Sequence, residues 1–500
     1  MICVSIGRGR HRMMRAEHQH LVEQGAKLVE LRVDYINREV SLKRLLDHRP
    51  CPVIITCRRE SDHGKWSGTE ANRQMLLRAA IVEGVDYIDL EDDIAGKIPR
   101  YGKTKRIVSL HNFRETPKDL EAIHDRLCQL DPDVVKIATM AHSPADNLRM
   151  LNLVQDAKIP TVGICMGEIG MPSRILSARF GAPWTYATFH HERTMAPGQF
   201  SYSQMTEIYR YEQINAQTEV YGVIADPVGH SMSPLIHNAA FGHFQMNKVY
   251  IPFRVPREDL DSFVISCSRL GIKALSVTIP HKEAIIGHCT QVEDAVEGIG
   301  AANTVVFEKG GAAAYNTDYT AAMHSMLEAM GLSAVPNALA GKKAVILGAG
   351  GVSRALVYGL TKFGAEVTIA SRTHARSEEL ARRFRAKTVA WDDRCKGQYD
   401  LLINGTPIGM HPNVDDTPFD KRALKASQTV FDTVYNPERT LLVKEAREVG
   451  CRVVTGLDMF IRQAALQFHH FTGQEAPAEL MKESLRRAIG PAKPVTGASS

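Results

Sequence analysis

The chain has 500 residues, 44% apolar and 23% charged, with 61 Lys and Arg against 56 Asp and Glu for a net charge of +5. That length is too great for one hydrophobic core and implies two or three domains of ordinary globular composition. The mild charge, with no basic run interleaved with aromatics, argues against nucleic acid as a partner, and nine cysteines without a C-x-x-C pair argue against a disulfide scaffold or zinc site.

The first 215 residues or so alternate short β-like runs with helical stretches. Strands are expected at 2–6, 28–32, 53–57, 87–90, 106–110, 134–138, 161–165 and 184–188, and helices at 72–83, 117–130 and 144–156. The run at 2–6 is too short for a secretory signal, and no stretch approaches membrane-span length, so a cytoplasmic protein without membrane contact is expected. Eight βα units predict a closed parallel (β/α)8 TIM barrel, whose chemistry sits at the C-terminal ends of its strands.

Polar residues fall at that rim. Glu30 and Arg32 end the second strand on one face, Arg58 follows the third, Glu91 ends the fourth and His111 ends the fifth. Arg174 follows the seventh strand, and Gln199 lies in a turn after the eighth. Lys136 stands alone in the apolar run Val134-Val135-Lys136-Ile137-Ala138 of the sixth. By itself it fits an edge-strand lysine facing water. Buried, it would lose charge readily and become a nucleophile for Schiff-base chemistry. Convergence of so many polar groups on one rim favours the second reading.

A final helix of this half is expected at 206–216. A new strand begins at 220–224 after a linker of a few residues, so the boundary is set at 216, with domains 1–216 and 217–500. In the second half, a strand at 343–347 leads into Gly348-Ala349-Gly350-Gly351-Val352-Ser353 and then an apolar helix, the setting of a dinucleotide site. Ser353 occupies the third glycine position of that pattern. The next strand, 366–370, ends in Ser371-Arg372-Thr373 where an NAD site would carry an acid. A cation and hydroxyls there fit a 2′-phosphate and hence NADP, although a plain surface arginine reads the same way. The tail 490–500 is small and polar and is expected to fray.

Together these pieces carry a resemblance over nearly the whole chain. Glu30-Leu31-Arg32-Val33-Asp34, Asp89-Leu90-Glu91, Ser109-Leu110-His111-Asn112-Phe113, Lys136-Ile137-Ala138 and Ala196-Pro197-Gly198-Gln199 resemble the type I 3-dehydroquinate dehydratases. The stretch 226–234, with Val277-Thr278-Ile279-Pro280-His281-Lys282, Gly300-Ala301-Ala302-Asn303-Thr304, Asn316-Thr317-Asp318 and Gly456-Leu457-Asp458-Met459, resembles the shikimate dehydrogenases. The pair looks like the fused arrangement of plant type.

The resemblance implies that Lys136 forms an imine with 3-dehydroquinate, that His111 moves the protons and that Glu91 holds His111. It makes Arg174 the carboxylate anchor, with Glu30, Arg32, Arg58 and Gln199 as further substrate contacts. Met195 stands where the family usually has a serine. The product, 3-dehydroshikimate, would be reduced to shikimate with NADPH, using Lys282 and Asp318 as the catalytic pair. Ser231 and Ser233 resemble the carboxylate clamp, and Thr278, Asn303, Tyr435, Gln463 and Gln467 the remaining substrate shell. Asn404, Thr406 and Gly456 resemble the floor near the nicotinamide, added to Gly348, Ala349, Gly350, Gly351, Val352, Ser371, Arg372 and Thr373 as the cofactor set. The dehydrogenase half would have a substrate lobe at about 220–323 plus 457–489 and a cofactor lobe at about 339–455. Two rivals come from other classes: a ligand-sensing repressor, which should have lost these catalytic groups, and a Schiff-base aldolase joined to a quinate dehydrogenase.

Overall fold

A computed structural model describes residues 1–190 and 195–489. The expected frayed tail at 490–500 lies outside them. The chain divides into two units, one of Met1–Pro234 with Gln245–Ile272 and the other of Leu235–Phe244 with Lys273–Ser500.

In the first unit, β1 (Ile2–Ile6), β2 (Leu28–Arg32), β3 (Val53–Thr56), β4 (Tyr87–Glu91), β5 (Lys105–Asn112), β6 (Val134–Met140), β7 (Thr161–Met166) and β8 (Thr185–Thr188) form one parallel sheet. Its order is β7-β6-β5-β4-β3-β2-β1-β8, the barrel order, with β7 and β8 as the two ends and no ladder between them among the described residues. The strands lie where expected to within two residues. Their Val- and Ile-rich runs are buried on both faces, as parallel strands covered by helices require. The helix Pro144–Asp156 also has a local cause: Ser143 and Asp146 form a capping box, and Pro144 opens the first turn.

Inside the barrel, Cys3, Leu28, Ile54, Ile107, Val134, Val162 and Trp184 form an apolar layer, with Tyr87 packed against it. Side chains on a strand repeat every second residue. Two residues on stand Ser5, Glu30, Thr56, Ser109, Lys136, Ile164, Tyr186 and Asp89, and two further on Arg32, Arg58, Glu91 and His111. One alternation therefore makes an oily floor and a charged storey above it.

The helix expected at 206–216 does not form. A short π-helical turn covers Gln204–Ile208 and a 3-10 turn covers Tyr211–Gln213. Arg210 between them has φ +47, a left-handed backbone that no helix can pass through, and Tyr209 and Tyr211 on either side are buried. The unit continues with β9 (Glu219–Ala225) and β10 (Lys248–Arg254), paired in parallel.

The second unit holds all but the first residue of β11 (Ile272–Val277), with β12 (Gln291–Val292), β13 (Thr304–Glu308) and β14 (Gly311–Tyr315), in which β13 pairs antiparallel with β11 and β14. A parallel sheet follows, made of β15 (Lys343–Leu347), β16 (Glu366–Ala370), β17 (Lys387–Val389), β18 (Leu401–Asn404), β19 (Thr429–Asp432) and β20 (Arg452–Val454) in the order β17-β16-β15-β18-β19-β20. The order reverses at β15 and β18, the switch point of a Rossmann-like sheet. No helix among the described residues is long and apolar enough to cross a membrane.

Candidate active site

Lys136 sits in β6, between β5 and β7, and is 6% exposed, so the edge-strand reading fails. Its Nζ lies 3.0 Å from Asp89 Oδ2 and 3.7 Å from Glu30 Oε1, and stands 4.2 Å from the centre of the Tyr186 ring. Two carboxylates thus neutralise a cation that burial would otherwise make costly. Asp89 also takes Arg58 Nη2 at 3.0 Å and the Ser109 hydroxyl at 2.5 Å. Burial by itself would raise its pKa, but Arg58 and Lys136 outweigh it and hold the carboxyl far below the ordinary range. Glu30 accepts from Ser5 Oγ at 2.5 Å and Thr56 Oγ1 at 2.8 Å. Burial opposes its charge as well, and Lys136 and Arg32 more than compensate.

Glu91 departs from expectation. Its two oxygens accept from Arg58 Nη1 and Arg73 Nη1, each at 2.8 Å, so it holds Arg58 and not His111. His111 stacks near Phe113, ring centres 6.0 Å apart, on whose other contact His63 packs at 4.0 Å. Burial first, then Arg58 and Lys136, push the His111 pKa well below the ordinary imidazole value. The ring is therefore neutral near pH 7 and ready to accept a proton.

Arg32 is gripped by Asp34 through two bonds, 2.9 and 2.7 Å. Arg174 is different. It is 2% exposed, its Nη2 donates to the Pro197 carbonyl at 3.3 Å, and its Nε has no partner among the described residues. Burial alone pushes its pKa down to about 10, so it stays charged. Among the described residues no carboxylate pairs with this buried guanidinium, and an incoming one would relieve its burial cost through a two-pronged contact. Gln199 Oε1 accepts from the Met195 amide at 3.0 Å, and Met195 itself faces Arg32 with its sulfur 4.0 Å from Nη1. Lys136, His111, Glu30, Arg32, Arg58, Arg174 and Gln199 line one cavity, joined by Ser5, Asp62, His63, Tyr186 and Met195.

In the second unit Lys282 Nζ lies 2.7 Å from Asp318 Oδ2. Asp318 is in the first turn of the helix Thr317–Ala329, which Asn316 caps. Asn303 Oδ1 accepts from the Thr317 amide at 2.8 Å, beside that pair. Gln467, expected to touch substrate, has its amide committed within the protein. It accepts from Ser276 Oγ at 2.8 Å and donates to the Asn303 carbonyl at 3.0 Å and Thr304 Oγ1 at 2.9 Å. It therefore fixes Asn303. Gln463 is buried and donates to the Phe460 carbonyl at 3.1 Å, and Tyr435 stacks on Phe460 at 4.8 Å. Thr278 is half-buried just past β11. Ser231 and Ser233 belong to the first unit, where Ser231 Oγ accepts from the Ser233 amide at 3.4 Å.

The glycine turn after β15 fits a dinucleotide. Gly348 has φ +102, and at Gly350 and Gly351 no described atom comes within 4 Å of where a Cβ would stand, leaving an open cradle with Ala349 and Val352 at the start of the helix Gly351–Lys362. Asn404 and Thr406 brace each other, Thr406 Oγ1 donating to Asn404 Oδ1 at 2.6 Å. Gly456 opens the helix Gly456–Thr472, where a Cβ would stand 2.4 Å from the Val434 carbonyl oxygen. At the end of β16, Ser371 Oγ accepts from the Thr373 amide at 3.3 Å, and Arg372 is exposed.

Family models match along the chain in the same sequence: type I 3-dehydroquinase at residues 2–216, shikimate dehydrogenase substrate binding domain at 223–305, shikimate/quinate 5-dehydrogenase at 332–406 and the shikimate 5′-dehydrogenase C-terminal domain at 456–486. The bifunctional 3-dehydroquinate dehydratase/shikimate dehydrogenase of Arabidopsis thaliana, named as chloroplastic, is 40% identical over 483 residues, spanning 92% of this chain and 79% of its own. The chain belongs to this bifunctional family. Its dehydrogenase half is also similar to the NADP-dependent shikimate dehydrogenase of Methanopyrus kandleri, 41% identical over 284 residues, 54% of this chain and 96% of that protein. A shikimate dehydrogenase crystallised with NADP+ superposes with a TM-score of 0.51 at 37% identity, covering 56% of this chain and 98% of the other.

Sequence reasoning passed over Asp89, Tyr186, Asp62 and His63 in the dehydratase half. The first two carried a readable signal, since Tyr186 lies two residues beyond Trp184 of the inner apolar layer and Asp89 two beyond Tyr87, which packs against it. Asp62 ends the 3-10 turn Glu60–Asp62 and His63 follows it, an element too short to carry a readable periodicity.

Proposed function

We propose that the chain converts 3-dehydroquinate to 3-dehydroshikimate in the domain 1–216 and reduces that ketone to shikimate with NADPH in the domain 217–500. The observation that carries the first step is a lysine buried at mid-strand that shares one cavity with His111 and with an arginine that has no carboxylate partner among the described residues. Arg174 takes the substrate carboxylate. The Lys136 amine, once its proton has left, attacks the ketone, and loss of water leaves an iminium. That cation draws electrons from the neighbouring carbon, and His111 removes its proton. The same imidazole returns a proton to the C1 hydroxyl, which departs as water. Hydrolysis of the imine frees Lys136. Asp89 and Glu30 hold the lysine, and Glu91 holds Arg58.

NADPH, which the glycine turn 348–352 would hold, would supply hydride to the dehydroshikimate ketone. Ser231 and Ser233 grip the carboxylate. Lys282 protonates the forming alkoxide, and Asp318 restores its charge while bonding a ring hydroxyl. Asn303 and Thr278 contact the ring, with Tyr435 and Gln463, and Gln467 keeps Asn303 in place. Ser371, Arg372 and Thr373 receive the 2′-phosphate. The scattered thiols suit a reducing compartment such as the cytoplasm, which a fluorescent fusion would test against a plastid.

Purified protein given dehydroquinate and NADPH should consume cofactor and accumulate shikimate. Lys136→Ala should abolish this while still reducing supplied dehydroshikimate. Borohydride with dehydroquinate should add one substrate to the peptide containing Lys136, and labelling of another lysine would sink the assignment.

A further inference from the structure

Glu168 lies in the dehydratase half, in the turn that follows β7, and it is absent from the residues lining the dehydratase cavity. Its carboxylate is spent on the dehydrogenase half. Oε1 accepts from the backbone amides of Val228 at 3.2 Å and Gly229 at 2.7 Å. Oε2 meets Arg254 Nη1 at 3.1 Å, and Arg254 Nε donates to Asp226 Oδ1 at 2.8 Å. One carboxylate therefore gathers both ends of the segment 226–229. All of these groups belong to the first unit.

The grip extends along the chain. The Val228 carbonyl accepts from the Ser231 amide at 3.0 Å, and Ser231 Oγ accepts from the Ser233 amide at 3.4 Å. A Cβ at residue 229 would stand 2.9 Å from Glu168 Oε1, so a larger residue there would displace this carboxylate. Gly167, immediately before Glu168, donates its amide to the Pro197 carbonyl at 3.1 Å, and a Cβ on Gly198 would stand 2.3 Å from the Gly167 carbonyl oxygen. Adjacent residues thus brace two different loops: the 195–199 turn over the first cavity, and the serine loop of the second half.

We propose that Glu168 is a positioning residue for the reduction of dehydroshikimate, holding the 226–233 loop so that Ser231 and Ser233 meet the substrate carboxylate. The barrel in this way furnishes part of the dehydrogenase. The inference rests on the reading of Ser231 and Ser233 as the clamp. Charged hydrogen bonds to backbone amides are strong, and a loop released from them must be reordered at each binding event.

The test is steady-state reduction of supplied dehydroshikimate by the full chain, comparing Glu168→Ala, Glu168→Gln and Ser231→Ala. Glu168→Ala should raise the KM for dehydroshikimate by about tenfold while kcat and the KM for NADPH hold. Glu168→Gln keeps an oxygen for the amides but loses the pairing with Arg254, so its rise should be smaller. If Ser231→Ala raises that KM and neither Glu168 variant does, the proposal is overturned and the clamp stands. If Ser231→Ala changes nothing, the clamp reading fails first. A Glu168→Gln protein in which kcat and both KM values worsen together would mean a merely structural role and would also overturn the proposal.

Discussion

Replacing Asp89 with Asn probes the charge balance at the centre of the barrel. Asp89 is 1% exposed and serves two cations, Lys136 at 3.0 Å and Arg58 at 3.0 Å. Each keeps one other carboxylate after the substitution: Arg58 has Glu91 at 2.8 Å, and Lys136 has Glu30 at 3.7 Å. The loss should therefore fall at the low end of the range for a broken buried pair, about 3 kcal/mol. For a domain of this size that is a fall in melting temperature of about 6–12 °C. Of the 3 tryptophans, Trp66 and Trp184 lie in the barrel, so thermal fluorescence scans in a Trp391→Phe background read its melting. Adding Lys136→Met to Asp89→Asn removes the poorly compensated cation and should recover about 1–2 kcal/mol of the loss. A shift under about 2 °C, or a double variant no better than the single, would show that the buried charges are not balanced as described.

His111 should be neutral in the free enzyme well below the ordinary histidine pKa, because burial, Arg58 and Lys136 all disfavour its charged form. A base that stays deprotonated keeps working as pH falls, so kcat/KM for dehydration should stay flat through pH 6.5, and a limb near that value would contradict the assignment. His111→Ala should let the imine form and stall there, with borohydride-trapped adduct rising as product falls. Lys282→Ala and Asp318→Ala should stop ketone reduction while NADPH binding, measured by fluorescence titration, is largely kept. Ser371→Asp with Arg372→Ala should weaken NADP by about ten- to a hundredfold and bring NAD towards parity. Equal use of the two cofactors by the unaltered chain would make Arg372 a surface residue only.

The sequence by itself determined the order and spacing of the strands, because eight short β-branched runs separated by helical stretches admit few arrangements. The period of two along the second strand also put Glu30 and Arg32 on one face before any contact was known. The cofactor turn was legible for a similar reason: its glycines and the strand ahead of it are contiguous, so local geometry suffices. Tertiary structure decided the pairings. Glu91 lies on the same rim as His111, yet its oxygens go to Arg58 and to Arg73, a residue from the helix Glu70–Val82 that no strand pattern points to. Asp89 becomes the partner of Lys136 across 47 residues of chain, and Glu168 reaches the 228–229 amides across 60 and 61. The helix at 206–216 failed because a left-handed residue at Arg210 lets Tyr209 and Tyr211 both be buried. Periodicity reports which face a side chain occupies. Which of several charges on that face it meets depends on distances between strands and loops far apart in the chain, and these exist only once the chain has folded.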